Sequence, residues 1–164
     1  MSAYLQAESG IRLLHARYAD AVFRKDFVSF GDCFTDNAEW LVGGFHLTGR
    51  AECVEFLQNV MARINWVLMT FRTPILQLSD ATADGRTYVT EQTAYKDGGH
   101  SNNIATYFER FVEQDGIWRR SYAFFQLHYM GPADFTGSFF PQPDFGPPPA
   151  MPPMLPSVPP GNPQ

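Results

Sequence analysis

The chain has 164 residues, a formal net charge of −5 and 18% charged residues. That length holds one domain of ordinary size, and an acidic balance argues against a nucleic-acid surface, which shows as a basic excess. Cys33 and Cys53 are too few for a disulfide framework, and the histidines at 15, 46, 100 and 128 are too scattered for a zinc site. No window approaches the roughly 18 apolar residues that span a bilayer. The opening MSAYLQAESG has neither a basic region nor an apolar run, so a cytoplasmic location is expected. Neither GxGxxG, GxxxxGK[ST] nor GxSxG occurs, which leaves dinucleotide, P-loop and serine-hydrolase readings without support.

Residues 9–34 read as helix, with Ser9 as a cap and Ile11, Leu14, Tyr18, Ala21, Val22 and Phe30 on an apolar stripe. Asp26 caps a second short helix over 27–34. Ala38–Val42 and Phe45–Thr48 read as strand or hairpin around Gly43-Gly44, and 50–63 as a helix with Val54, Leu57, Val60 and Met61 inward. From Trp66 the period changes to two, which predicts strands at 66–79, 86–96, 101–113 and 117–129. Asp97-Gly98 and Asp115-Gly116 supply hairpin turns. Helices followed by a meander of long strands give an α+β layout, a curved sheet wrapped on helices around an apolar pocket.

Twelve of the thirteen prolines lie from Pro132 onward, so the chain divides into a body, 1–131, and a tail, 132–164. Phe135, Phe139, Phe140 and Phe145 interleave with Gly and Pro in the tail, a composition unlike that of disordered segments. Residues 132–146 are expected to pack on the body as a lid or intersubunit arm, and 147–164 to be extended and loose.

The segments Tyr18–Phe27, Phe34–Trp40, Gly49-Arg50 and Asp115–Trp118, in this order and spacing, resemble the SnoaL-like branch of the NTF2-like superfamily over about residues 8–130. The resemblance implies a cone-shaped fold with the pocket inside the cone, and a homodimer or homotrimer. The superfamily hosts dehydratases, isomerases, cyclases, C–C lyases and binding proteins, so the fold alone does not give the chemistry. Its dehydratases use a His on the first long strand oriented by an Asp on the first helix. Those positions hold Met69 and Phe23 here, so that machinery is absent.

By the same resemblance Tyr18 falls on a catalytic Tyr, Arg72 on a second His, Gln92 near a catalytic Asp and Tyr107 near a substrate-binding Asn. A two-residue turn at Asp97-Gly98 pairs Gln92 with Asn103 and Tyr88 with Tyr107 and turns all four inward, whereas a three-residue loop would flip the phase. The candidate catalytic residues are therefore Tyr18, Arg72 and His100. The candidate substrate-binding residues are Gln92, Asn103, Tyr107, Tyr88, Trp40 and His46. Arg72, inside an apolar strand, would hold a phenolate, enolate or carboxylate, and Glu109 is the best in-phase carboxylate. His15 is expected at the edge of the apolar stripe, partly solvated. The expected activity is that of a cofactor-independent lyase on a hydroxylated aromatic molecule. Loss of water, or C–C cleavage with formaldehyde release as in the superfamily's lyases of lignin-derived dimers, are the options. An isomerase or cyclase, or a ligand-binding or assembly module, is the alternative.

Overall fold

The computed structural model describes residues 2–140. The first helix, α1 (Ala3–Arg24), starts six residues before the Ser9 cap expected from sequence, because Ser2 accepts from the Leu5 amide instead. It buries Ala7, Ile11, Leu14, His15, Tyr18, Ala21 and Val22, a stripe at helical spacing. Lys25 in the left-handed region ends it, with the Asp26 amide donating back to the Ala21 carbonyl. The Asp26 side chain then caps α2 (Phe27–Gly31), as expected, through the Ser29 amide at 3.0 Å. The residues that follow α2 extend into β1 (Phe34–Val42), earlier than the sequence pattern implies.

β2 (Phe45–Thr48), α3 (Arg50–Met61), β3 (Ile64–Phe71), β4 (Ile75–Ser79), β5 (Thr82–Tyr95), β6 (His100–Gln114), β7 (Ile117–Gly131) and the two-residue β8 (Ser138–Phe139) complete the element order. The expected 66–79 strand is divided at Pro74, which lacks the amide a continuous ladder needs. The strands form one curved mixed sheet in the order β2-β1-β7-β6-β5-β3, with β4 on β5 and β8 on β7. All pairings are antiparallel except β1 with β7. Its concave face packs on α1 and α3, and the core of Tyr18, Phe30, Phe34, Trp40, Tyr107 and Phe111 fills the seam. The α+β cone expected from the sequence is the architecture observed. Among the described residues, no helix is long and apolar enough to cross a membrane.

Two local irregularities decide which side chains face inward. Val42 pairs with Phe45 and Gln114 with Ile117, each across two residues of positive φ, so Gly43-Gly44 and Asp115-Gly116 are two-residue turns. Asp97-Gly98 is not. The Lys96 amide bonds the Arg63 carbonyl, Tyr95 and Gly99 close the loop, and Gly98 alone takes positive φ. The loop has three residues, so Gln92 pairs with Asn102 and Glu91 with Asn103. On β7 the register shifts between Arg110 and Phe111, leaving Ser121 as an extra residue. Arg120 therefore points inward on one side of the bulge, and Ala123 and Phe125 on the other.

The tail begins as an anchored turn. Tyr129, buried, donates its hydroxyl to the Pro132 carbonyl and accepts from the Gly137 amide at 2.9 Å. Its ring packs against Phe135 and Phe139. Gly131 and Gly137 touch so closely that a Cβ on either would lie 2.5 Å from the other's Cα. Residues 132–140 thus pack on the end of β7. The remainder of the expected anchored segment, 141–146, and the expected loose segment, 147–164, lie outside the described residues. Replacing Tyr129 by Phe removes two partly buried hydrogen bonds to backbone. We expect it to lower unfolding free energy by about 1–3 kcal/mol in urea titrations and to speed proteolytic cleavage between 131 and 140.

Candidate functional site

A cavity of about 570 Å³ lies between the concave sheet and the helices, within the size range of small-molecule sites. Tyr18 and Val22 of α1, Phe56 and Leu57 of α3, Val67 and Met69 of β3, and Trp40, Tyr95 and Phe125 make it mostly apolar and aromatic. Exposed Phe45, Asn59 and Arg63 mark its mouth. Its polar groups are few: Glu91 and Thr93 on β5, Asn103 and Tyr107 on β6, and Tyr18.

Of the residues predicted from sequence, Tyr18, Trp40, Asn103 and Tyr107 line this cavity. The others do not. The three-residue loop turns Gln92 and Tyr88 to the outer face, where both are exposed. Arg72 follows the last residue of β3, is exposed, and donates to Thr90 Oγ1 at 2.7 Å, so the expectation of a buried cation in the cone is corrected. His100 opens β6 and is exposed. His46 faces Glu39 at 2.8 Å on the exposed side of the β1–β2 hairpin. The same phase change delivers what the sequence reading missed. Glu91 occupies the inward position expected of Gln92, and Asn103 Nδ2 donates to its Oε2 at 3.3 Å. Burial raises the Glu91 carboxyl above the ordinary 4.5, and the Asn103 bond opposes this only in part.

Tyr18 and Tyr107 meet with their hydroxyls 3.3 Å apart. Burial pushes Tyr18 up to about 12, against the Arg120 charge and the Tyr107 bond, and Tyr107 is raised well above 10 for the same first reason. Both are therefore neutral at physiological pH. Two hydroxyls share one bond, which leaves one O–H to donate to a third oxygen. The guanidinium of Arg120 lies 4.0 Å from the Tyr18 ring centre and 4.8 Å from that of Tyr107, a cation–π arrangement that holds both rings in place.

Arg120 is fully buried and is neutralised by Glu109, whose Oε1 accepts from Nε at 2.6 Å. Glu109 also accepts from His15 Nε2 at 3.0 and 3.1 Å and from Thr87 Oγ1 at 2.9 Å. Burial alone would raise the Glu109 carboxyl. Its neighbours His15 and Arg120, with the His15 and Thr87 hydrogen bonds, outweigh that and hold it at about 2. Glu109 was the best in-phase carboxylate in the sequence, and it is indeed inward, but its oxygens are occupied by three partners and it does not line the cavity. His15, expected at the solvated edge, is 2% exposed. Its spacing after Ile11 and before Tyr18 already set it on the stripe. Arg120 carried no such signal, because the Ser121 bulge reverses the alternation that would point it outward.

Among the described residues, no group of three or more His, Cys, Asp or Glu side chains is placed to hold a metal ion. The cavity offers instead one carboxylate able to take a proton and a tyrosine pair able to give a hydrogen bond.

The low value at Glu109 is also a stability term. The folded carboxyl binds its proton only near pH 2, whereas the unfolded one does so near 4.5, so the unfolded state takes up more protons between these limits. The contribution is complete above the unfolded value and is lost as pH falls through about 2. We expect E109Q to unfold about 3–5 kcal/mol more easily at neutral pH, as breaking a buried pair does. Circular-dichroism melts should show this variant losing less further stability than the parent between pH 4.5 and 2.

Comparison with known proteins places this geometry. A hexachlorocyclohexane dehydrochlorinase, LinA type 2, superposes with a TM-score of 0.73 at 18% identity, over 87% of this chain and 97% of that one. A protein of Novosphingobium aromaticivorans provisionally named scytalone dehydratase gives 0.73 at 17% identity, over 77% and 87%. A second protein of that organism, provisionally named aromatic ring hydroxylase, gives 0.71 at 25% identity, over 77% and 94%. No curated protein sequence matches significantly. Residues 3–122 match the SnoaL-like domain, which is most of the chain, and the protein belongs to that family within the NTF2-like superfamily.

Proposed function

We propose that the protein is a cofactor-independent lyase acting on a hydroxylated aromatic molecule inside the cone. The observation that carries this reading is the Glu91 carboxylate on an aromatic wall, hydrogen-bonded by Asn103 and sharing the cavity with the Tyr18–Tyr107 hydroxyl pair. Fold neighbours named as a dehydrochlorinase and a dehydratase agree with elimination chemistry.

A substrate with a para-phenol supplies its own electron sink. The phenolic proton passes to solvent, the ring pushes out the benzylic hydroxyl, and the tyrosine pair delivers a proton to it, releasing water and leaving a quinone methide; solvent returns a proton to the pair before the next turnover. The Arg120 charge beside both rings stabilises the negative charge this leaves on the pair. Glu91 then removes a second proton. Taken from the neighbouring carbon, it gives an alkene and restores the ring. Taken from the O–H of a hydroxymethyl group on that carbon, it breaks the C–C bond, releases formaldehyde and gives an alkene with one carbon fewer, again with the ring restored. In both, Glu91 must be ionised to act.

The test is a diarylpropane-1,3-diol with a free para-hydroxyl, followed by stilbene absorbance and formaldehyde release. Turnover is expected with this compound and not with its para-O-methyl analogue, since only the free phenol can form the quinone methide. Equal turnover of both would sink the proposal. E91Q, which keeps the Asn103 contact possible, is expected to lower kcat by about 10²–10⁴. In the parent, kcat/KM should rise with pH through a midpoint above the ordinary carboxylate value of 4.5. The same carboxylate suits the isomerase alternative, which rearranged products without loss of water or formaldehyde would establish.

A further inference from the structure

We propose a second ligand site, an anion-binding cleft between α1 and β3, that takes the carboxylate of a small organic acid. It is separate from the cone cavity, has a volume of about 320 Å³, and shares only a wall with it at Met69. Its ionisable lining residues are Arg12, His15 and Arg72, and no carboxylate lines it among the described residues. In a chain of net charge −5, such a one-sided lining is unexpected.

Both arginines have unused donor capacity. Arg12 is exposed and has no hydrogen bond or ion pair among the described residues. Arg72 commits Nη1 to Thr90, an uncharged partner, and keeps its charge unneutralised. His15 is 2% exposed, and its Nδ1 is a buried atom without a partner. The Glu109 carboxylate can only accept, so Nε2 carries the hydrogen in that contact, and Nδ1 is left with a lone pair that can accept from a hydroxyl on the acid. The two exposed guanidiniums at the rim form the recognition set for a carboxylate.

The rest of the lining selects the body of the acid. Ala16, Ala19, Met69 and Phe71 are apolar, and the Phe71 ring lies flat on His15 at 4.6 Å. An arene carboxylate fits this pairing of an apolar floor and a cationic rim better than a bare oxyanion. Arg72 thus holds the kind of oxygen its sequence context suggested, but outside the cone.

Calorimetric titration of the full chain with benzoate tests this, with R12A/R72A as the variant. Both side chains are exposed, so folding is not at stake, and R12K/R72K keeps the charge. Benzoate is expected to bind the parent with an affinity that falls as salt rises, to bind the double alanine variant at least tenfold more weakly, and to regain part of that in the lysine variant. Inorganic phosphate should bind the parent at least tenfold more weakly than benzoate. 4-Methylphenol, a neutral probe of the cone cavity, should bind parent and R12A/R72A alike, so failure of the cavity reading and failure of this one remain distinct. No benzoate binding up to about 10 mM, benzoate affinity unchanged in R12A/R72A, or phosphate binding equal to benzoate would each overturn the assignment.

Discussion

The structure depends on one buried carboxylate. Glu109 of β6 holds His15 of α1, Thr87 of β5 and Arg120 of β7, so the first helix and three adjacent strands are tied at a single group. A carboxylate in such a place is tolerable only when its charge is met and its lone pairs are filled. Here a guanidinium and an imidazole supply both. The arrangement fixes how α1 sits on the sheet, and through that the position of Tyr18.

The tie also reaches the cavity without entering it. Glu109 fixes Nε of Arg120, and the guanidinium lies against Tyr18 and Tyr107. The two tyrosines therefore line the cavity in a set orientation. Glu91 meets the same cavity with Asn103 as its one hydrogen-bond partner among the described residues, and burial raises its pKa where Glu109 is held low. Two carboxylates on neighbouring strands thus have opposite environments. One is saturated and structural, and the other is sparsely bonded and faces open space. That contrast separates a group that holds the fold from one suited to moving a proton.

The cone interior and the surface divide the charge differently. Inside, aromatic walls leave few polar groups, and the buried Arg120 guanidinium is turned to ring faces and to Glu109. Outside, Arg12 and Arg72 stand over the α1–β3 cleft with no acid in its lining among the described residues. His15 belongs to both regions, since Nε2 serves the buried tie and the ring forms part of the cleft. Phe71 lies between them, stacked on His15 and facing Tyr107 at 5.9 Å.

The order of helices and strands, the α+β class, the Asp26 cap, the family and the inward places of Tyr18, Asn103 and Tyr107 were legible in the sequence. The elements and the cap follow from local rules, since side-chain period and capping chemistry act within a few positions. The family rests on the resemblance, and Asn103 and Tyr107 face inward although the two-residue turn used to phase them is not formed. Glu91, Arg120 and the outward turn of Gln92 and Tyr88 were not legible. They depend on a carbonyl of Arg63 capturing the Lys96 amide and on one extra residue at Ser121, each a matter of what the folded chain brings alongside. Because side chains alternate along a strand, a single residue of register exchanges one face for the other. The sequence by itself therefore determined which elements form. Only the tertiary structure decided which carboxylate faces the cavity, since a register is set by contacts between segments distant in the chain.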